Sequence, residues 1–198
     1  MVAQPGDAVA AKVAEKQKAE GYRVDTVTLE VQPGFALDML IAVPEQTGPR
    51  PVVLWMDAAP HERTAASADF VRLAKSGHLI MAFQPRSVLG EPPPNPNQLS
   101  LGHYMQPLIR SIAVGKTIIG LRTDDTIRAL NYIVSRPDAD ASQITVYGKG
   151  AQGLVALHAA ALDSRVSRLV IDGALVSYRM ALNAGLHKTF LKSSSPAC

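Results

Sequence analysis

From Tyr22 onward the apolar positions fall into a repeating order. Val27, Leu29 and Val31 alternate with polar residues, and Phe35, Leu37, Met39, Ile41 and Val43 do the same after a turn at Gln32, Pro33 and Gly34. A period of two with a single apolar face predicts two half-buried strands joined as an antiparallel hairpin. Residues 52–56 and 79–83 are instead unbroken apolar runs, the form taken by strands covered on both faces. Between them Ala66, Phe70, Leu73 and Ala74 recur at helical spacing, and Gly77 stands just past the end as a stop. Strand, helix and strand in that order predict a parallel pair with a right-handed crossover.

The pattern continues with an apolar helix over 109–119 and a second helix whose inner stripe is Ile127, Leu130, Ile133 and Val134. Asp124 and Asp125 are expected at the N-terminal end of that second helix, where the backbone dipole favours negative charge. A strand at 144–147, a helix at 154–162 and a strand at 168–171 follow. Residues 181–190 suit one more helix. Repeated βα units make this an α/β domain, a mostly parallel sheet with an antiparallel N-terminal hairpin and helices on both faces. Ala, Lys and Glu dominate residues 1–20, which read as a loose helix or extension. Residues 21–190 form one domain and 191–198 a polar tail. The proline-rich segment 84–107 is too long for a routine connection and is expected to border a functional site.

Composition narrows the classes. In 198 residues, 47% apolar content is enough for one sizeable core. The net charge of +3 arises from 20 basic and 17 acidic residues spread along the chain without a basic run, so no nucleic-acid partner is expected. A single cysteine, Cys198, rules out an intrachain disulfide framework or a cysteine-based zinc site. Neither HExxH nor a histidine cluster occurs, so no metal is expected. No apolar run approaches the roughly 18 residues of a membrane span, and the N-terminus lacks the order of a signal peptide. The expectation is a soluble chain without an address label.

The candidate chemistry centres on GKGAQG, residues 148–153. Gly148, Gly150 and Gly153 spell GxGxxG, and Asp172 ends the next predicted strand at about the spacing of the ribose-binding acid in a dinucleotide fold. That reading implies NAD or FAD. It places the first Rossmann strand late, with at least three strands before it. The same residues also fit a strand-to-helix elbow of the GxSxG kind, in which a strained turn lifts a serine above the sheet and nearby amides bind the oxyanion. Aligned on Gly148, the nucleophile position is Gly150. Ala151 then offers one oxyanion amide and the loop 57–59, centred on Ala58, the other. Asp57, His61, Lys149 and Gln152 would line the pocket.

Further marks accompany the elbow: GYRV at 21–24 leading to QPGF at 32–35, LRTDD at 121–125 and DGALVSY at 172–178. In this order they resemble the acetylxylan-esterase-like branch of the α/β-hydrolases over residues 21–190. The resemblance implies a serine esterase that removes acyl groups, typically acetyl, from carbohydrates or other small esters, without a cofactor. The family's serine is replaced by Gly150, and its later strands, with their Asp and His, normally lie beyond this point. Asp172 and His187 are the candidates for an acid and a base. The expectation is therefore a C-terminally truncated hydrolase domain, weak or inactive as an esterase, with an unpaired sheet edge that favours self-association. A non-catalytic binding module on this scaffold and a dinucleotide-binding domain are the alternatives.

Overall fold

The computed structural model describes residues 3–86, 109–174, 177 and 179. Among these residues seven strands form one sheet: β1 (Ala11–Ala19), β2 (Tyr22–Gln32), β3 (Phe35–Pro44), β4 (Arg50–Met56), β5 (Leu79–Phe83), β6 (Ala139–Lys149) and β7 (Val166–Asp172). Their spatial order is β1-β2-β3-β5-β4-β6-β7. The first three strands and the β3–β5 contact are antiparallel, whereas β5, β4, β6 and β7 run parallel. This is the α/β architecture that the alternation predicts.

Helices α1 (His61–Ala65), α2 (Ala68–Lys75), α3 (Ile118–Ser135) and α4 (Ala151–Leu162) pack on the sheet. On one face, Leu54, Met56, Leu79, Met81, Ile144 and Val146 pack against Ala129, Leu130 and Ile133 of α3 and Ala156 of α4. On the other, Ala42, Val53, Trp55, Ile80 and Ala82 pack against Phe70 and Ala74 of α2. The unbroken apolar runs of β4 and β5 follow from this two-sided burial. Such removal of apolar surface from water is the main favourable term in folding, about 25 cal/mol per Å2.

Residues 11–19 depart from the expected helix. They form β1, antiparallel to β2, with Ala11 opposite Leu29 and Ala19 opposite Tyr22. Helix propensity is a weak prior, and the hydrogen-bonding edge of β2 overrides it. Exposed Lys12 and Lys18 then mark the new edge with charge. α1 starts at His61, two residues past the loop 57–59.

The helix expected over 109–119 breaks: 109–113 is helical, Gly115 takes φ +70°, and the Thr117 side chain caps α3 by accepting the Gly120 N–H at 2.9 Å. Asp124 and Asp125 consequently lie inside α3, buried, and not at its N-terminal end. Most of the segment 84–107, the expected helix 181–190 and His187 lie outside the described residues.

Candidate functional site

The parallel strands end together. Met56 lies opposite Phe83 on one side and Gly148 on the other, and Gly148 lies opposite Ile171. From β4 the chain turns toward β5 through α1 and α2 on one face. From β6 it turns the other way, toward β7, through α4 on the opposite face. The gap between the ends of β4 and β6 is thus a topological switch point, where open α/β sheets place their ligands. Asp57–Ala59 leave from one side of this gap, and Lys149–Ala151 from the other.

Gly150 is the N-cap of α4, with φ +57° and ψ −128°. This backbone region is strained for any residue with a side chain. The turn is fixed from both directions: the Gly150 N–H donates to the Asp172 carbonyl at 2.8 Å, and the Gly150 carbonyl accepts the Gly153 N–H at 3.1 Å. The flanking glycines are required by close approach. A Cβ on Gly148 would lie 2.7 Å from both the Gln152 carbonyl oxygen and Gly153 Cα, and one on Gly153 would lie 2.4 Å from Ala174 Cβ. A Cβ on Gly150, by contrast, meets nothing within 4 Å. The sharp turn brings strand and helix together while leaving its central position open to the outside.

Ala151 is the first residue of α4, where backbone amides have no partner within the helix. Across the gap, Asp57 Oδ1 accepts the Ala59 N–H at 3.3 Å, and Gln84 Nε2 donates to the Ala58 carbonyl at 3.2 Å. The end of β5 therefore steadies the loop after β4. His61, at the start of α1, is half-buried with Nε2 3.2 Å from Glu62 Oε1. Lys149 is exposed; Gln152 is buried, and its Oε1 has no hydrogen-bond partner among the described residues.

Asp172 ends β7 at this same edge, and its exposed carboxylate accepts the Tyr147 hydroxyl at 2.8 Å. Burial and that hydrogen bond push the Tyr147 phenol upward, so it remains a donor at neutral pH. The Tyr147 contact was not apparent from sequence, although Tyr147 and Asp172 end neighbouring predicted strands. None of the predicted pocket residues lines the cavity of about 330 Å3 bounded by Pro51, Val53, Trp55, Thr145, Tyr147 and Arg168 on the α2 face of the sheet.

Arg86, just past the end of β5, links several elements. Its guanidinium contacts both oxygens of Asp125, at 2.8 and 2.5 Å, and Gln32 Oε1 at 3.2 Å, and it lies over the Phe35 ring at 4.9 Å. The hydrogen bond to Asp125 holds Arg86 charged; burial pushes the Asp125 carboxyl up against the pull of the arginine. One ion pair thereby ties the end of β5, the β2–β3 turn and α3 together beneath the strand ends.

The dinucleotide reading does not fit this topology. The glycine turn follows β6, in a sheet that already contains an antiparallel half and a parallel β4–β5 pair. Among the described residues no helix is long and apolar enough to cross a membrane.

Comparison with known proteins agrees with the hydrolase topology. A family model for acetyl xylan esterase (AXE1) matches residues 11–190. No curated protein matches the chain. Among solved structures, acetyl xylan esterase 1 from Thermoanaerobacterium sp. JW/SL YS485 superposes with a TM-score of 0.65 at 17% identity, covering 91% of this chain and 57% of that one. An acetyl xylan esterase from Paenibacillus sp. R4 gives 0.64 at 19% identity, covering 93% and 61%. A glucuronoyl esterase from Solibacter usitatus gives 0.59 at 14%, covering 84% and 52%. The chain spans about half to three fifths of the length of these structures.

Proposed function

The chain belongs to the acetyl xylan esterase family, and from that premise we propose that it is a carboxylic-ester hydrolase scaffold whose elbow does not perform acyl transfer. One observation carries this reading. Gly150 holds the strained turn that a nucleophile elbow uses, φ +57° and ψ −128°, but has no side chain to attack a carbonyl. The amides of Ala151 and Ala58 remain as oxyanion donors, and a bound ester would face Asp57, His61, Lys149 and Gln152. Asp172 and His187 are the acid and base in this reading. Without a nucleophile they have no proton to relay.

Acyl transfer by a triad requires attack at the carbonyl carbon, with the base accepting the nucleophile's proton. Removing the attacking group leaves only binding and oxyanion stabilisation, so turnover is expected to fall by orders of magnitude. The ligand class is an acetyl ester of a carbohydrate or a similarly small ester, taken from the family. The test is hydrolysis of 4-nitrophenyl acetate and of acetylated xylo-oligosaccharides by the full chain. Release of acetate at the buffer rate, unchanged in Gly150→Ala, is the expected result. Catalytic turnover with saturation by either substrate overturns the reading.

A further inference from the structure

Gln4, Pro5, Gly6 and Asp7 form a turn that closes on itself. Proline presets the first central φ, and glycine supplies the positive φ of the second, +95° at Gly6. The Asp7 N–H donates to the Gln4 carbonyl at 3.1 Å, and the Asp7 carboxylate accepts the Gln4 N–H at 2.9 Å. The shape of the segment is therefore local in origin.

The turn docks on α3 at two side chains. Asn131 Oδ1 accepts the Gly6 N–H at 3.0 Å, and Asn131 Nδ2 donates to the Gln4 carbonyl at 2.9 Å, so one carboxamide reads both sides of the turn. Asp124 accepts the N–H of Ala3, which is buried. Asp124 and Asn131 are about two helical turns apart and share one face of α3.

Both acceptors are held independently of the segment. Arg128 lies 3.4 Å from Asp124, and Arg165 donates to Asn131 Oδ1 at 2.6 Å, which also fixes which end of the carboxamide faces Gln4. Arg165 is in turn gripped by both oxygens of Asp163. Ala129, Leu130 and Ile133, on the opposite face of α3, anchor the helix to the sheet. The docking site thus belongs to the folded body, and its polar groups keep a partner when the turn leaves.

The segment itself is lightly held. Residues 4–8 are exposed, and the apolar surface it buries comes from Ala3 and part of Val9. Segments with few buried apolar contacts open at low free energy. Water replaces the docking hydrogen bonds at small net cost.

We propose that residues 3–9 are a releasable strap, which docks by its Pro5–Gly6 turn into a preformed site at Asp124 and Asn131 and opens as a unit while the sheet stays folded. The inference is independent of whether the elbow is active.

Amide hydrogen exchange of the full chain, followed by NMR across sub-denaturing urea, tests it. The Ala3 and Gly6 amides and the Asn131 side-chain amide are expected to exchange through one shared opening with little urea dependence. The amides of Ile133 in α3 and Leu54 in β4 are expected to need the larger, urea-dependent opening of the whole domain. Gly6→Pro removes the donor to Asn131 and forbids the positive φ. It is expected to speed exchange at Ala3 and at the Asn131 side chain roughly tenfold, with Leu54 and Ile133 unchanged. A chain lacking residues 2–8 is expected to stay folded by circular dichroism, with Leu54 and Ile133 still protected. Strap amides that exchange together with Leu54, a Gly6→Pro chain with unchanged exchange at Ala3 or equal acceleration at Leu54 and Ile133, or a shortened chain that does not fold would each overturn the proposal.

Discussion

Arg86 and Asp125 form a two-pronged ion pair across 39 residues of sequence, with the carboxylate wholly buried in α3 and the guanidinium largely so. It joins the end of β5 to the helix packed beneath it. Removing one partner leaves the other charge buried and unpaired, which costs about 3–5 kcal/mol. Asp125→Ala is therefore expected to be strongly destabilising in urea unfolding. Replacing both, as in Arg86→Met with Asp125→Leu, is expected to recover much of the loss, because the desolvation cost disappears with the pair.

The three glycines of the elbow are expected to respond differently to a side chain. Gly148→Ala and Gly153→Ala force a Cβ within 3 Å of packed backbone or core atoms, and such overpacking costs about 1–3 kcal/mol or more. Gly150→Ser has open space and bears only the backbone strain, about 1–2 kcal/mol. Denaturant midpoints of the three variants measure the order directly. A Gly150→Ser variant less stable than the other two would show that the turn is not an open elbow.

Asp138 gives the fold an acid-sensitive contact. Burial by itself would raise its pKa, but hydrogen bonds and charge from Arg136, 2.6 Å away, bring it below the ordinary range of an aspartate. A depressed folded-state pKa stabilises the protein above the unfolded value. That contribution is lost as pH falls through the lower folded value. Asp138→Asn is expected to lower the urea midpoint at neutral pH and to flatten its decline below about pH 4. Parallel curves for the native chain and the variant would remove Asp138 from the acid response.

Thr117 starts α3 by accepting the Gly120 N–H. Thr117→Ala is expected to cost about 1 kcal/mol, whereas Thr117→Ser or Thr117→Asp retains the cap. Unfolding midpoints of the three variants distinguish capping from a packing role.

The strands β2 to β7 were legible in sequence because burial stamps its period on them: alternation where one face is covered, unbroken apolar runs where both are. The elbow was legible because close backbone approach at Gly148 and Gly153 admits only glycine. Less was visible where a long-range partner decides the outcome. β1 exists because β2 offers it an edge, and its Ala, Lys and Glu residues carry no strand signal. Asp124 and Asp125 looked like helix-start residues, yet Asp124 accepts the Ala3 amide and Asp125 accepts Arg86. Neither partner is within reach of a local pattern. For the same reason the Asp172 carboxylate reads as a loose strand-end acid until Tyr147 is placed beside it.

We propose that Gly150 keeps the backbone of a nucleophile elbow without a nucleophile, and the intact mass of the full native protein after exposure to a serine-reactive fluorophosphonate tests this. An unshifted mass is expected, with no labelled peptide after digestion. A stoichiometric adduct on any serine, accompanied by loss of ester turnover, would contradict it.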